Sequence, residues 1–321
     1  MNRCLMFATA ATIMVASGCS DDDSATRNDE PVDERIAAQV ASYDLAADGP
    51  QRFLLGVLLN EGGLVVGGTA DLTFAYQAPL EGQDPPAGTV EPPEPVTARF
   101  LDVAGATPTD ADTPQPGVDG QNGVYHADGI EFAAPGFWQV EVTVDLEGAP
   151  ATTRAAFEVH AEGQIPDVGD RAPRTRNLLP GDSDAPVDAI DSRAEPDGAV
   201  PDPELHRLTV ADAIESGLPA MVVVSTPVYC LSRFCGPITD TIQALAEEYR
   251  GRANFVHIEV WRDYEERTVN RGAADWIYPN PTVEPAEPWV FLIDQEGRIA
   301  DRWDNVTNQT LLTNALDAVG A

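Results

Sequence analysis

The chain reads as two modules of different class, an all-β sandwich followed by a mixed α/β unit. Two patterns carry this. Between residues 41 and 160 apolar side chains recur at every second position in short runs, the period of half-buried strands. From residue 204 onward β-branched runs alternate with stretches of helical period, in the order β-α-β and then β-β-α. A length of 321 residues agrees with two such units.

Ahead of both lies an export segment. Arg3 precedes an apolar run over residues 5–16 that is too short to cross a bilayer as a stable helix, so residues 1–18 read as a signal peptide that takes Cys4 with it. The run ends in Ala16-Ser17-Gly18-Cys19, which resembles the lipobox of bacterial lipoproteins, although Ala16 stands where Leu is more usual. That resemblance implies a lipid on Cys19, attachment to a bacterial membrane and a place outside the cytoplasm, on the periplasmic side or the cell surface, where disulfides persist. Residues 19–40 are acidic and almost free of large apolar side chains, as a solvated lipid-tethered linker would be.

The β module takes residues 41–160. Its clearest strands are 138–146, with Trp138, Val140, Val142, Val144 and Leu146 on one face, and 151–159, joined by the turn Glu147-Gly148-Ala149-Pro150. Residues 52–59, 72–76, 98–103 and 130–133 supply further strands, about seven in all by the alternation rule, which predicts an antiparallel sandwich. Residues 81–95 and 105–120, rich in Pro, Gly and Asp, read as long surface loops, either solvated connections or binding loops. Gly123-Val124-Tyr125 and Pro135-Gly136-Phe137-Trp138 resemble the last strands of immunoglobulin-like domains of bacterial surface proteins, which implies an immunoglobulin-like sandwich.

A Pro- and Asp-rich linker follows over residues 161–203. Within it Val168-Gly169-Asp170-Arg171-Ala172-Pro173 resembles the opening of exported thioredoxin-like and peroxiredoxin-like domains, at an unusually long distance from any cysteine.

The second module takes residues 204–321. Thr209 with Asp212 reads as a capping box opening a short helix that stops at Gly217-Leu218-Pro219. A buried strand at 220–225 then hands over to Ser225–Thr241, STPVYCLSRFCGPITDT, and to a helix carrying Ile238, Ile242, Leu245, Ala246 and Tyr249 on one face. Cys230 and Cys235 therefore stand at a strand-to-helix junction. Unpaired amide N–H groups and the helix dipole favour a thiolate there. A strand at 254–260, an irregular stretch at 261–287, a hairpin of 289–294 and 298–303, and a final helix from about residue 307 to 319 complete the order.

That order, with a cysteine pair after the first strand, Pro237 inside the first long helix and Pro288 opening the hairpin, resembles the thioredoxin fold over roughly the last third of the chain. The resemblance implies a C-terminal α/β thioredoxin-like fold, a cis-proline at Pro288 facing the cysteines, and catalytic roles for Cys230, Cys235 and Pro288. The motif departs from the family: four residues separate the cysteines where thioredoxins have two. Residues five apart on a regular helix lie about 8–9 Å apart at Cα, beyond the roughly 7 Å a disulfide spans, so pairing needs Cys230 in the loop and Cys235 in a distorted first turn. The buried carboxylate of thioredoxins has no match near Val224. Glu287 is the nearest carboxylate candidate, and reads as a solvated loop residue.

Two functions of different class fit. One is a membrane-anchored thiol–disulfide oxidoreductase or redox relay, in which Cys230 attacks, with Arg233 beside it favouring the thiolate, and Cys235 resolves, the partner being a thiol or disulfide protein. The other is a binding or scaffolding lipoprotein whose Cys230–Cys235 pair is a structural disulfide. A resemblance to Sco-type copper chaperones would add His257 to the cysteines, but those motifs enclose three residues. His126, His160 and His206 lie in strand-edge or linker segments without ligand spacing. No cofactor or metal is implied. With 53 Asp+Glu against 19 Lys+Arg, a net charge of −34 excludes a nucleic-acid partner and suits a saline or extracytoplasmic setting.

Overall fold

The computed structural model describes residues 32–321 except 183–184, 196–197, 231 and 279–285. The lipidation residue Cys19 lies outside the described residues. Val32–Ala321 form one compact unit.

The first half is one large sheet. Its strands are β1 (Ile36–Val40), β2 (Pro50–Leu59), β3 (Val65–Val66), β4 (Thr69–Ala78), β5 (Val96–Asp102), β6 (Gln115–Pro116), β7 (Gly123–Glu131), β8 (Gly136–Leu146) and β9 (Ala149–Val159). Seven run antiparallel in the order β1-β2-β7-β5-β4-β8-β9, while β3 and β6 make a small pair of their own. The two edges approach each other: β1 packs along β9, and the Asp33 amide donates to the Thr152 carbonyl at 2.7 Å. The sheet thus nearly closes into a barrel around Phe53, Phe74, Phe132, Trp138 and Phe157, whose neighbouring rings meet edge-on at centroid distances of 5.2 to 6.3 Å.

This overturns the expected immunoglobulin-like sandwich. Period-two alternation places Trp138, Val140, Val142 and Val144 on a buried face, as observed. It cannot tell whether that face meets a second sheet or the curled inner face of its own.

The second half carries β10 (Ala220–Ser225), β11 (Asn254–Glu259), β12 (Trp261–Asp263), β13 (Thr268–Val269), β14 (Trp289–Ile293) and β15 (Ile299–Asp304), with helices α1 (Val210–Glu215), α2 (Cys235–Glu248), α3 (Arg271–Ile277) and α4 (Gln309–Ala318). The sheet order is β11-β10-β14-β15, with β10 parallel to β11 and antiparallel to β14. The expected thioredoxin-like α/β fold is likewise corrected. Strands make up 37% of the described residues and helices 16%, and α1 and α3 are only 6 and 7 residues long. The sequence order of elements was legible, but it does not reveal whether a set of elements forms a fold of its own or part of a larger β-rich body.

Contacts between the sheets explain why. Leu54, Val103, Val124 and Val306 form a shared apolar cluster with Phe234 packed against it. Arg52 of β2 donates to the Val306 carbonyl at 2.6 Å and lies 3.6 Å from Asp304 of β15, and Asn305 donates to the Ala41 carbonyl at 2.9 Å. The Val168–Pro173 stretch also adds to the second sheet, with Gly169 donating to Ile299 and Ile299 to Asp170.

Candidate functional site

The site begins where β10 ends. All six residues of β10 are buried, and its last side chain, Ser225, shares a 2.8 Å hydrogen bond with Thr239 one turn into α2. Thr239 in turn donates to the Cys235 carbonyl at 2.8 Å. These two bonds pin the first turn of α2 under the strand. Ile238, Ile242, Leu245 and Ala246 hold the helix by its apolar face, and Pro237 sits in the first turn, where its missing N–H has no intrahelical partner to lose.

Cys235 is therefore the first, fully buried residue of α2, and Cys230 stands half-buried in the preceding loop. Their sulfurs are within disulfide distance, and their Cα atoms are 6.0 Å apart. That is shorter than a regular helix allows, because Arg233 turns the chain at φ 65° just before the helix starts. Arg233 itself is exposed.

Polar contacts converge on Cys230. Its Sγ accepts from the Cys235 backbone N–H at 3.4 Å and touches Ser232 Oγ at 3.3 Å. Ser232 donates to the Glu287 carbonyl at 3.4 Å, and Tyr43 Oη donates to the same carbonyl at 3.0 Å. The Glu287–Pro288 peptide is cis. Pro288 is thereby one residue from the groups bonded to the cysteine loop. Burial pushes the Tyr43 phenol above its ordinary range, opposed by a hydrogen bond with Ser232, so Tyr43 acts here as a neutral donor.

Glu287 was misjudged from sequence. It is 9% exposed, not solvated, and its carboxylate lies within 4.8 Å of both sulfurs. Tyr43 and Ser232 were missed altogether. Tyr43 is brought in from 244 residues away by the joining of the two sheets, which no local pattern signals. His257, weighed as a third ligand to the cysteines, instead faces Asp191 and His206.

No protein-family model matches the chain, and no curated protein matches it. Among the described residues no helix is long and apolar enough to cross a membrane.

Proposed function

We propose that Cys230 and Cys235 are a thiol–disulfide exchange centre acting on a protein thiol or disulfide. The observation that carries this is the position of the Cys230 sulfur: partly accessible, and accepting the first backbone N–H of a 14-residue helix. A sulfur so placed gains from the helix dipole and from that N–H when it carries negative charge, which favours the thiolate.

With the pair oxidised, a partner thiolate attacks Cys230 Sγ. The Cys230–Cys235 bond breaks, its electron pair leaves on Cys235, and a partner–Cys230 mixed disulfide forms. A second partner thiolate then displaces Cys230, so the partner is oxidised by two electrons and the pair is reduced. In the reverse direction Cys230 attacks and the buried Cys235 resolves. Glu287 is the group placed to take the proton from a thiol and return it.

The lipobox-like Ala16-Ser17-Gly18-Cys19 supports a lipid anchor on Cys19 and a place outside the cytoplasm. The test is a dithiol-dependent insulin reduction assay on the full chain. Wild type is expected to turn over, Cys230→Ser to lose activity entirely, and Cys235→Ser to accumulate a mixed disulfide on Cys230. Turnover that survives Cys230→Ser would remove the proposal.

A further inference from the structure

Away from the cysteines, three side chains from separate elements meet in the interior. Asp191 follows the 3-10 turn Val187–Ala189, His206 ends the 3-10 turn Pro203–His206, and His257 lies in the middle of β11. Their side chains have no exposed surface. His206 Nε2 and His257 Nδ1 each stand 3.4 Å from the same oxygen, Asp191 Oδ2, and the two rings are 5.2 Å apart.

The hydrogen bonding of this group does not close. His257 Nε2 faces the Ser225 carbonyl at 3.3 Å, so that nitrogen carries a proton, and Nδ1 is the ring atom turned to Asp191. Nδ1 stands 3.4 Å from Asp191 Oδ2 but makes no well-aligned hydrogen bond. Neither ring nitrogen of His206 makes a well-aligned hydrogen bond either, its Nε2 having only the 3.4 Å approach to the same oxygen. Buried polar atoms in this condition are costly, and an electrophile at the centre would remove the cost.

We infer that Asp191, His206 and His257 form a binding site for a divalent first-row transition ion, with Zn2+ the best fit. An ion about 2.1 Å from Asp191 Oδ2 and from either facing nitrogen would subtend an O–ion–N angle of about 108°, close to the tetrahedral value, and the three ligand atoms all lie within 4.8 Å of one another. Two imidazoles and a carboxylate are the donor set such ions prefer. The surroundings complete an outer shell. Arg193 donates to Asp191 Oδ1 through its backbone N–H and Nε, at 2.9 and 3.0 Å, and to Oδ2 through Nη2 at 2.7 Å, fixing the carboxylate. Asp202 holds the same guanidinium at 2.6 Å. Glu259, buried two residues from His257, accepts from the Ser192 amide at 2.9 Å. The bound ion ties both 3-10 turns to β11, and through Ser192, which accepts from the Val228 amide at 3.2 Å, it steadies the loop that leads to Cys230. The site shares no ligand with the cysteine pair and does not depend on its being redox-active.

The experiment is a titration of the full chain carrying Cys230→Ser and Cys235→Ser, with Co2+ and then Zn2+ as the only added metals. One equivalent of Co2+ is expected to give the visible ligand-field spectrum of a four-coordinate nitrogen–oxygen site and to be displaced by Zn2+. Affinity should fall at least about 100-fold in His206→Gln and in His257→Gln. Absence of stoichiometric Co2+ binding would overturn the inference, since a proton would then be the electrophile. So would binding that both substitutions leave intact. Should either substitution prevent folding, the cobalt spectrum and stoichiometry of the parent chain decide alone.

Discussion

Glu287 turns on a single question of exposure. A carboxylate in water would contribute little to thiol chemistry, but one that is 9% exposed and within 4.8 Å of both sulfurs is positioned to move their proton. Gln fills the same volume without the basic oxygen. Glu287→Gln should therefore slow thiol–disulfide exchange at pH 7 on the order of 100-fold while leaving the thermal midpoint unchanged. The defect should shrink as pH rises past the thiol's own pKa, where hydroxide replaces the missing base. Stopped-flow kinetics with a chromogenic disulfide across that pH range checks both points. The sequence marked Glu287 as the nearest carboxylate but not as a buried one, because its burial comes from Tyr43 and the cysteine loop folding over it.

Elements were more legible than their assembly. The run at 220–225 is β10, the period from Ile238 to Tyr249 is the buried face of α2, and the hairpin at 289–303 is β14 and β15. The capping box at Thr209 is present in full: Thr209 accepts from the Asp212 amide at 3.2 Å, and the Asp212 side chain accepts from the Thr209 amide at 3.3 Å. Thr209→Ala should cost about 1 kcal/mol of unfolding free energy, read from urea denaturation with an unchanged slope. Such features were readable because they are decided within a few residues. The irregular stretch after β11 was less so. It contains the short β12–β13 hairpin and α3, held by tertiary contacts such as Trp276 against Phe291 and its ring N–H on Thr175 rather than by strong local signals.

At the scale of the molecule, the sandwich and the separate α/β fold failed for one reason. Hydrophobic periodicity reports that a face is buried but not what buries it, and here both sheets contribute to a shared interface. Arg52 and Asp304 meet across it at 3.6 Å and line a cleft of about 850 Å³ together with Asp128, Asp301 and Trp303. Burial lowers the Arg52 pKa, and it raises that of Asp304 although Arg52 opposes the shift. A carboxyl raised in the folded state binds its proton more tightly than in the unfolded chain. Its contribution to stability is then full below the ordinary value of about 3.9 and is lost as pH rises through the folded value. Arg52→Met removes the opposing cation, so its thermal midpoint should fall more steeply with rising pH than that of wild type. At pH 7 the single substitution should cost about 3–5 kcal/mol by stranding the carboxylate, and adding Asp304→Asn should restore most of the stability and abolish the extra slope. Calorimetry across pH 4 to 7 measures all three.

The most direct measurement is thiol labelling of the native chain by mass spectrometry during treatment with a mild dithiol, with circular dichroism followed in parallel. A working exchange centre opens without unfolding, so Cys230 should become labelled first, then Cys235, while the spectrum of the fold stays unchanged. Labels that appear only in step with loss of that spectrum would mean the bond is a structural staple, worth about 2 kcal/mol for so short a loop, and would contradict the exchange role.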